Sequence, residues 1–409
     1  MTDLRASGAV TGTGVLSRPR AALPALCATQ ITSWGIVYYA FPVLNPQITA
    51  STGWSTTATT AAFSGALLVS ALTGIPVGRI LDRRGPRAVM TTGSVLGVIA
   101  VLGLAAAPNL AAFTAAWLLA GVAMAATFYQ PAFAALTHWW GSDRIRALTI
   151  VTLAGGLAST AFAPLTAVLA EHLSWRTTYA VLAVVLALVT IPAHALALRG
   201  PWAPAPAPPS QGHTGSSGSV TRSRPFLMLA TAMTLNSFAM YAVVIALVPL
   251  LITRGASPTA AAWALGLGGV GQTLGRTLYA TLARHTGVTT RTVTLIALGG
   301  ATTAAFAMVT GPYPLLVGIA IAAGTVRGNL TLLQATAVTD RWGTTHYGRL
   351  SGLLAAPATI ASALAPFAGA ALAGPPGGYP GLFTLLALIS ALAALVAVAT
   401  MPPPTAPRQ

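Results

Sequence analysis

Lysine is absent and acid is scarce: Asp3, Asp82, Asp143, Glu171 and Asp340 are the only carboxylate side chains among 409 residues, against 21 basic residues that are all arginine. Charged residues make up 6% of the chain, where a soluble domain carries roughly 25%. That scarcity excludes a water-solvated surface for most of the sequence. Cysteine is equally thin, since Cys27 stands alone inside an apolar run and allows neither a disulfide framework nor a thiolate metal site within one chain. The carboxylates all lie in a tail or at the border of an apolar run, which leaves none near the middle of a bilayer. The histidines His138, His172, His194, His213, His285 and His346 also fall at borders or loops and read as interfacial. No nucleophile, acid/base pair or metal cluster is in place for an enzyme, and no cofactor is expected.

What fills the chain is apolar sequence, 55% hydrophobic with a mean hydropathy of +0.75. A spanning helix needs about 20 apolar residues. Runs bordered by Arg, Pro and Gly predict twelve transmembrane helices near 23–44, 57–80, 88–107, 110–138, 146–171, 176–198, 225–252, 259–283, 291–310, 314–339, 348–373 and 380–401. Residues 1–20 lack an apolar core and a small-residue cleavage site, so the first helix reads as an uncleaved signal anchor.

The arginines set the topology. With a cytoplasmic N-terminus, most of them fall in inside segments, Arg176 and Arg254 alone fall outside, and Arg276 and Arg327 lie within helices. This bias predicts both termini on the cytoplasmic side of the cell's inner (plasma) membrane. It also makes the formal charge of +16 a topological signal rather than a nucleic-acid patch.

A Pro-rich, then Gly/Ser-rich stretch divides the chain nearly in half and reads as a linker. The expected organisation is a cytoplasmic tail (1–22), a six-helix bundle (23–198), a cytoplasmic linker (199–224), a second six-helix bundle (225–401) and a tail (402–409). The halves match at one constant offset: Tyr39 with Tyr241, Gly85 with Gly287, Trp140-Gly141 with Trp342-Gly343, and Ala163-Pro164 with Ala365-Pro366. Such a parallel duplication predicts an all-α membrane protein of two pseudo-symmetric bundles, with a cavity between them near the midplane.

After helix 2 the chain reads Gly78-Arg79-Ile80-Leu81-Asp82-Arg83-Arg84-Gly85-Pro86-Arg87. This resembles the signature loop of the major facilitator superfamily, G-x-x-x-D-R-x-G-R-R, departing chiefly at Pro86. The resemblance implies secondary transport by alternating access and a conformational latch made of Gly78, Asp82, Arg83, Gly85 and Arg87, with Asp82 steadying the outward-open state. The same arginines also serve topology. At the equivalent place in the second half Arg284 replaces the acid, which weakens any second latch. Helix 5, from Gly155 to Pro164, is only faintly similar to the antiporter motif of drug exporters. The stretches Tyr347-Gly348-Arg349-Leu350-Ser351-Gly352, Ala365-Pro366-Phe367-Ala368-Gly369 and Gly377-Gly378-Tyr379, with Gly53-Trp54-Ser55, resemble the monocarboxylate and oxalate/formate porter branch.

Two arginines inside apolar helices carry the sharpest chemistry. A charge at the helix centre costs about 2.5–3.5 kcal/mol on insertion scales, so such residues usually face a cavity. Arg327 stands about 20 Å of helical rise beyond Pro314, and helical spacing puts Gly324, Arg327, Thr331 and Gln334 on one face. Arg276 lies about 12 Å from its helix end, with Gln272 one turn before it and Tyr279 after. Snorkelling or a bond to helix-end carbonyls is the alternative for Arg276. Carboxylate porters place an anion-binding arginine on helix 8, so the resemblance favours it as a site. Helix 1 sets Gln30, Trp34, Tyr38 and Phe41 on a stripe, helix 4 offers Tyr129 and Gln130 beside Pro131, and helix 7 offers Asn236. Substrate binding is therefore expected at Arg327, Arg276, Gln272, Tyr38, Trp34, Tyr129, Gln130, Asn236 and Gln334. A cavity with two arginines and no acid favours a small organic anion such as a monocarboxylate, carried by a monomer. The alternative is efflux of drugs or secreted metabolites.

Overall fold

The structure is a computed structural model and describes residues 19–202, 220–343, 347–374 and 377–400. The expected tail up to residue 18, the centre of the linker (203–219) and the final tail lie outside the described residues, as do His213 and His346.

Apolar runs in hydrocarbon must satisfy their backbone N–H and C=O groups internally, which selects helix. Among the described residues, nine helices are long and apolar enough to cross a membrane. The longest, Thr56–Ala106, has 51 residues and would be about 76 Å long if straight, far beyond the roughly 30 Å of a bilayer core. It folds back at Gly85 (φ 78°, ψ 168°) and supplies two crossings, α2 and α3. The others are α4 (Leu110–Trp140), α5 (Arg144–His172), α6 (Trp175–Ala197), α7 (Arg224–Thr253), α9 (Val288–Met308), α10 (Tyr313–Thr336), α11 (Tyr347–Leu372) and α12 (Gly378–Val398). Two more complete the twelve. The first, α1, runs from Ala22–Trp34 through a π turn (Gly35–Tyr39) to Ala40–Thr52. The other is α8 (Pro258–His285), whose glycines dilute its hydropathy.

The signature segment is not a loop. Helix continues through Arg84, Gly85 is the one non-helical residue, and Pro86 opens α3. A left-handed φ with almost no chain to spend explains why glycine occupies the turn. Helix α1 likewise passes the expected border at Leu44 and ends at Gly53 (φ 74°), carrying Pro46 within it.

Alternate crossings define two faces. One carries Gly85, Arg144, Arg199, Arg224, Arg284 and Arg341, the arginine face. Of the six helices that start from the opposite face, α2, α4, α6 and α8 carry a side-chain N-cap (Ser55 to Ala58 N–H, Asn109 to Ala112, Ser174 to Thr177 and Ser257 to Ala260), and α10 and α12 do not. Each such cap contributes about 1 kcal/mol.

The halves meet chiefly along α2 with α11 and α5 with α8. On the opposite face they are fastened. The Ser64 hydroxyl accepts from Phe367 N–H at 3.0 Å, Thr160 donates to the Gly266 carbonyl at 2.8 Å, and Thr259 donates to the Glu171 carboxylate. Toward the arginine face α2, α4 and α11 surround a cavity of 630 Å³ that extends from Trp34 and Tyr38 to Gly78 and Asp82. The described structure is therefore closed on one face and open toward the other.

One histidine departs from expectation. His194 sits in a π turn at the end of α6 and is fully buried between Ser94 Oγ (2.8 Å) and Thr29 Oγ1 (3.0 Å). The inward curl of that turn, invisible in the hydropathy pattern, draws the ring between α1 and α3.

Candidate functional site

Helices α8 and α10 approach along a seam of glycine. A Cβ on Gly324 would collide with the Gly268 carbonyl, on Gly328 with that of Gln272, on Gly271 with that of Ile321, and on Gly275 with that of Thr325. Without a hydrophobic drive between helices in lipid, small residues that let backbones touch supply the packing. The seam sets the side chains beside it in register. Arg327 Nη2 donates to Gln272 Oε1 at 3.3 Å, and Arg276 follows one turn later on α8. Gln272 and Arg276 are each 8% exposed.

Arg276 reaches across to the other half, where its Nη1 donates to the Thr152 carbonyl of α5. The contact exists because α5 breaks at Leu157 and presents Gly155 and Gly156, with no side chains in the way. The bond to a carbonyl near the end of a helical segment, read from the sequence as an alternative to substrate binding, is thus present. The Nε atoms of both Arg276 and Arg327 are buried without a partner.

The two guanidinium groups line one cavity of 140 Å³ between the halves. Its other walls include Trp34, Tyr38, Tyr39, Tyr129 and Tyr241, and no carboxylate is among its lining residues. Trp34 stacks on Phe128 at 4.1 Å and lies 5.3 Å from Tyr129; Tyr38 and Tyr241 meet edge to face at 6.5 Å. Helix α4 breaks at Phe128 (φ −75°, ψ −161°), and Gln30 Nε2 donates to the freed Thr127 carbonyl at 2.7 Å. The first-turn N–H groups of the restarted segment Tyr129–Trp140 have no acceptor within their own helix.

Of the residues expected to bind substrate, Arg327, Arg276, Gln272, Tyr38, Trp34 and Tyr129 come together here. Gln130 lies on the adjoining 630 Å³ cavity. Asn236, 3% exposed, faces a separate 50 Å³ cavity inside the second bundle, where Arg327 also borders. Gln334 turns to α7 and donates to Ser237 Oγ at 2.9 Å, and Tyr279 pairs with Thr336 at 2.7 Å. Gly324 belongs to the α8 seam and also borders the 50 Å³ cavity. Phe41 leaves the helix 1 stripe, stacking on Phe63 at 4.6 Å in the core. The π turn adds a residue to that stretch of helix and so rotates everything after it. At its first residue, Phe162 of α5 packs where a Gly35 side chain would be.

Sequence reasoning assigned no site role to Tyr39 and Tyr241, although their equivalence across the two halves marked them. Around the signature turn the hydrogen bonds among the described residues come from the first bundle and the start of the linker. Trp202 covers Gly85 and donates to the Asp82 carbonyl at 3.0 Å, and Arg87 donates to the Ala195 carbonyl at 2.9 Å. Gly78 lines the large cavity beside Asp82, and Arg83 is exposed.

Comparisons with known proteins agree with this architecture. Monocarboxylate transporter 13 of Bos taurus is 32% identical over 205 residues, covering 50% of this chain and 47% of that protein. Its counterpart in Rattus norvegicus is 28% identical over 285 residues, covering 66% of this chain and 63% of its own length. The chain thus spans about half to two thirds of the curated relatives it matches. The crystal structure of the nucleoside transporter NupG (D323A mutant) superposes with a TM-score of 0.76 at 14% identity, covering 93% of this chain and 99% of that one. The sequence profile of the Major Facilitator Superfamily matches residues 26–311 and 227–409. With both halves matched by that profile and twelve crossings around one central cavity, this chain belongs to the Major Facilitator Superfamily.

Proposed function

We propose that this membrane transport protein carries a small organic anion, such as a monocarboxylate, by alternating access. The observation that supports the reading is the convergence of Arg276 and Arg327 on one cavity whose lining contains no carboxylate. Burying a guanidinium without a counter-ion costs several kcal/mol, and an arriving anion relieves that cost. The planar fork of arginine matches a carboxylate with two parallel hydrogen bonds. The names of the two monocarboxylate transporter relatives point to the same class.

On this reading the arginine face is cytoplasmic, since the positive-inside bias favours it, and the described conformation is inward-open. The latch of Gly78, Asp82, Arg83, Gly85 and Arg87 would then act in the other state, with Asp82 steadying it. One chain supplies both walls of the cavity, which supports a monomeric unit in the plasma membrane. The 630 Å³ cavity favours a second reading, efflux of larger amphipathic molecules, because pockets for such ligands run to about 300–1,000 Å³. Vesicle uptake of labelled carboxylates against dyes separates the two.

The deciding measurement is binding of small carboxylates to purified wild type, Arg327→Lys and Arg327→Gln protein, with folding checked by thermal unfolding. Affinity is expected to fall from wild type to Lys, which keeps charge but loses the fork, and again to Gln, by about 2–5 kcal/mol in all. Equal affinity in the three proteins would make Arg327 a structural arginine and end the assignment.

A further inference from the structure

The arginines account for one end of the central cavity, and aromatic rings account for most of the rest. Trp34, Tyr38, Tyr39, Tyr129 and Tyr241 come from α1, α4 and α7 to wall a space of 140 Å³, and Phe128 backs Trp34. An apolar cavity of about 150 Å³ holds one benzene ring. The indole N–H of Trp34 and the Tyr38 hydroxyl are buried and have no hydrogen-bond partner among the described residues.

Building on the anion reading, we infer that the cargo is an aryl carboxylate: a planar ring between the side chains of α1, α4 and α7, with its carboxylate on Arg276 and Arg327. A two- or three-carbon acid would satisfy the guanidinium groups but leave the aromatic walls without contact. A neutral aromatic leaves two buried positive charges unmatched, and an aromatic amine is repelled by them. An aromatic amino acid brings an ammonium group for which the cavity lining has no carboxylate. Ring–ring contacts add attraction beyond area burial when the ligand is itself aromatic, which separates a benzene ring from a saturated one of similar size.

The experiment is calorimetric titration of the purified full-length protein with phenylacetate, cyclohexylacetate and propanoate, repeated on Trp34→Ala, Trp34→Phe and Arg327→Gln proteins of verified fold. In wild type, phenylacetate should bind about three- to tenfold tighter than cyclohexylacetate and tighter again than propanoate. Trp34→Ala should weaken phenylacetate binding far more than propanoate binding and so remove the preference for the ring, and Trp34→Phe should restore part of it. Arg327→Gln should weaken all three acids. Propanoate binding as tightly as phenylacetate would overturn the aryl inference and leave the anion reading standing. Binding of none of the three acids would overturn the anion reading itself. Phenylacetate binding that ignores Arg327→Gln would place the ring elsewhere and overturn the inference.

Discussion

At Asp340 a carboxylate that looks peripheral in the sequence holds a buried partner. Arg291, 5% exposed, donates to it at 2.6 Å and also reaches the Ala283 and Thr286 carbonyls at the end of α8. Asp340 itself keeps 25% exposure, so water offsets part of the pair. A hydrogen bond to a charged group contributes about 1.5–3 kcal/mol. Asp340→Asn should therefore lower the thermal unfolding temperature by an amount matching about 2 kcal/mol. An unchanged unfolding temperature for Asp340→Asn would mean that the carbonyls alone hold Arg291. In the sequence both residues stand at helix borders and read only as topology. Their pairing joins α9 to the short helix after α10 (Thr339–Trp342), a contact between elements that no periodicity announces.

The seam between α8 and α10 determines how far apart the two candidate anion ligands sit. A methyl group on Gly324 must displace the Gly268 backbone, because the colliding atom is a carbonyl and not a flexible side-chain end. Overpacking of this kind costs about 1–3 kcal/mol. Gly324→Ala should lower stability by that amount and weaken anion binding as Arg327 moves away from Gln272. Gly318→Ala on the same helix meets nothing within 4 Å and should be neutral or slightly stabilising. Equal unfolding temperatures and affinities for the two variants would remove the seam from the argument. Hydropathy and arginine spacing make the helices and both intramembrane charges legible, since a charge in an apolar run stands out by itself. The glycines of the seam were as visible, yet their role depends on which helix lies opposite. The π turn before Phe41 packs against α5, and the one that carries His194 packs against α1 and α3. A single helical pattern cannot contain such contacts.

For the whole molecule, the fastened face is the part that the proposed alternating access would have to release. Thr160 and Gly266 face each other across α5 and α8, and Cys27 is the sole native thiol. In a Cys27→Ser background, Thr160→Cys with Gly266→Cys should form a disulfide that stops transport, and a reductant should restore it. Cross-linked protein that transports at the full rate would show that this contact never opens. The cytoplasmic assignment of the arginine face has its own check. Reporters fused at Pro209 and Gln409 should behave as cytoplasmic and one at Thr52 as exterior. The reverse pattern would invert the inward-open reading, with the cavity opening outward instead.

Arg276 already has an occupation before any cargo arrives, since it ties α8 to the Thr152 carbonyl of α5. An anion that engages this guanidinium competes with a neutral carbonyl for the same donors. Loading the carrier and releasing this α5–α8 contact then become a single swap of hydrogen-bond partners. The kinetic signature of such a swap is a loaded protein that reorients faster than an empty one. Labelled anion should leave vesicles more quickly when unlabelled anion waits on the far side than when it does not, and Arg276→Gln should bring the two rates together.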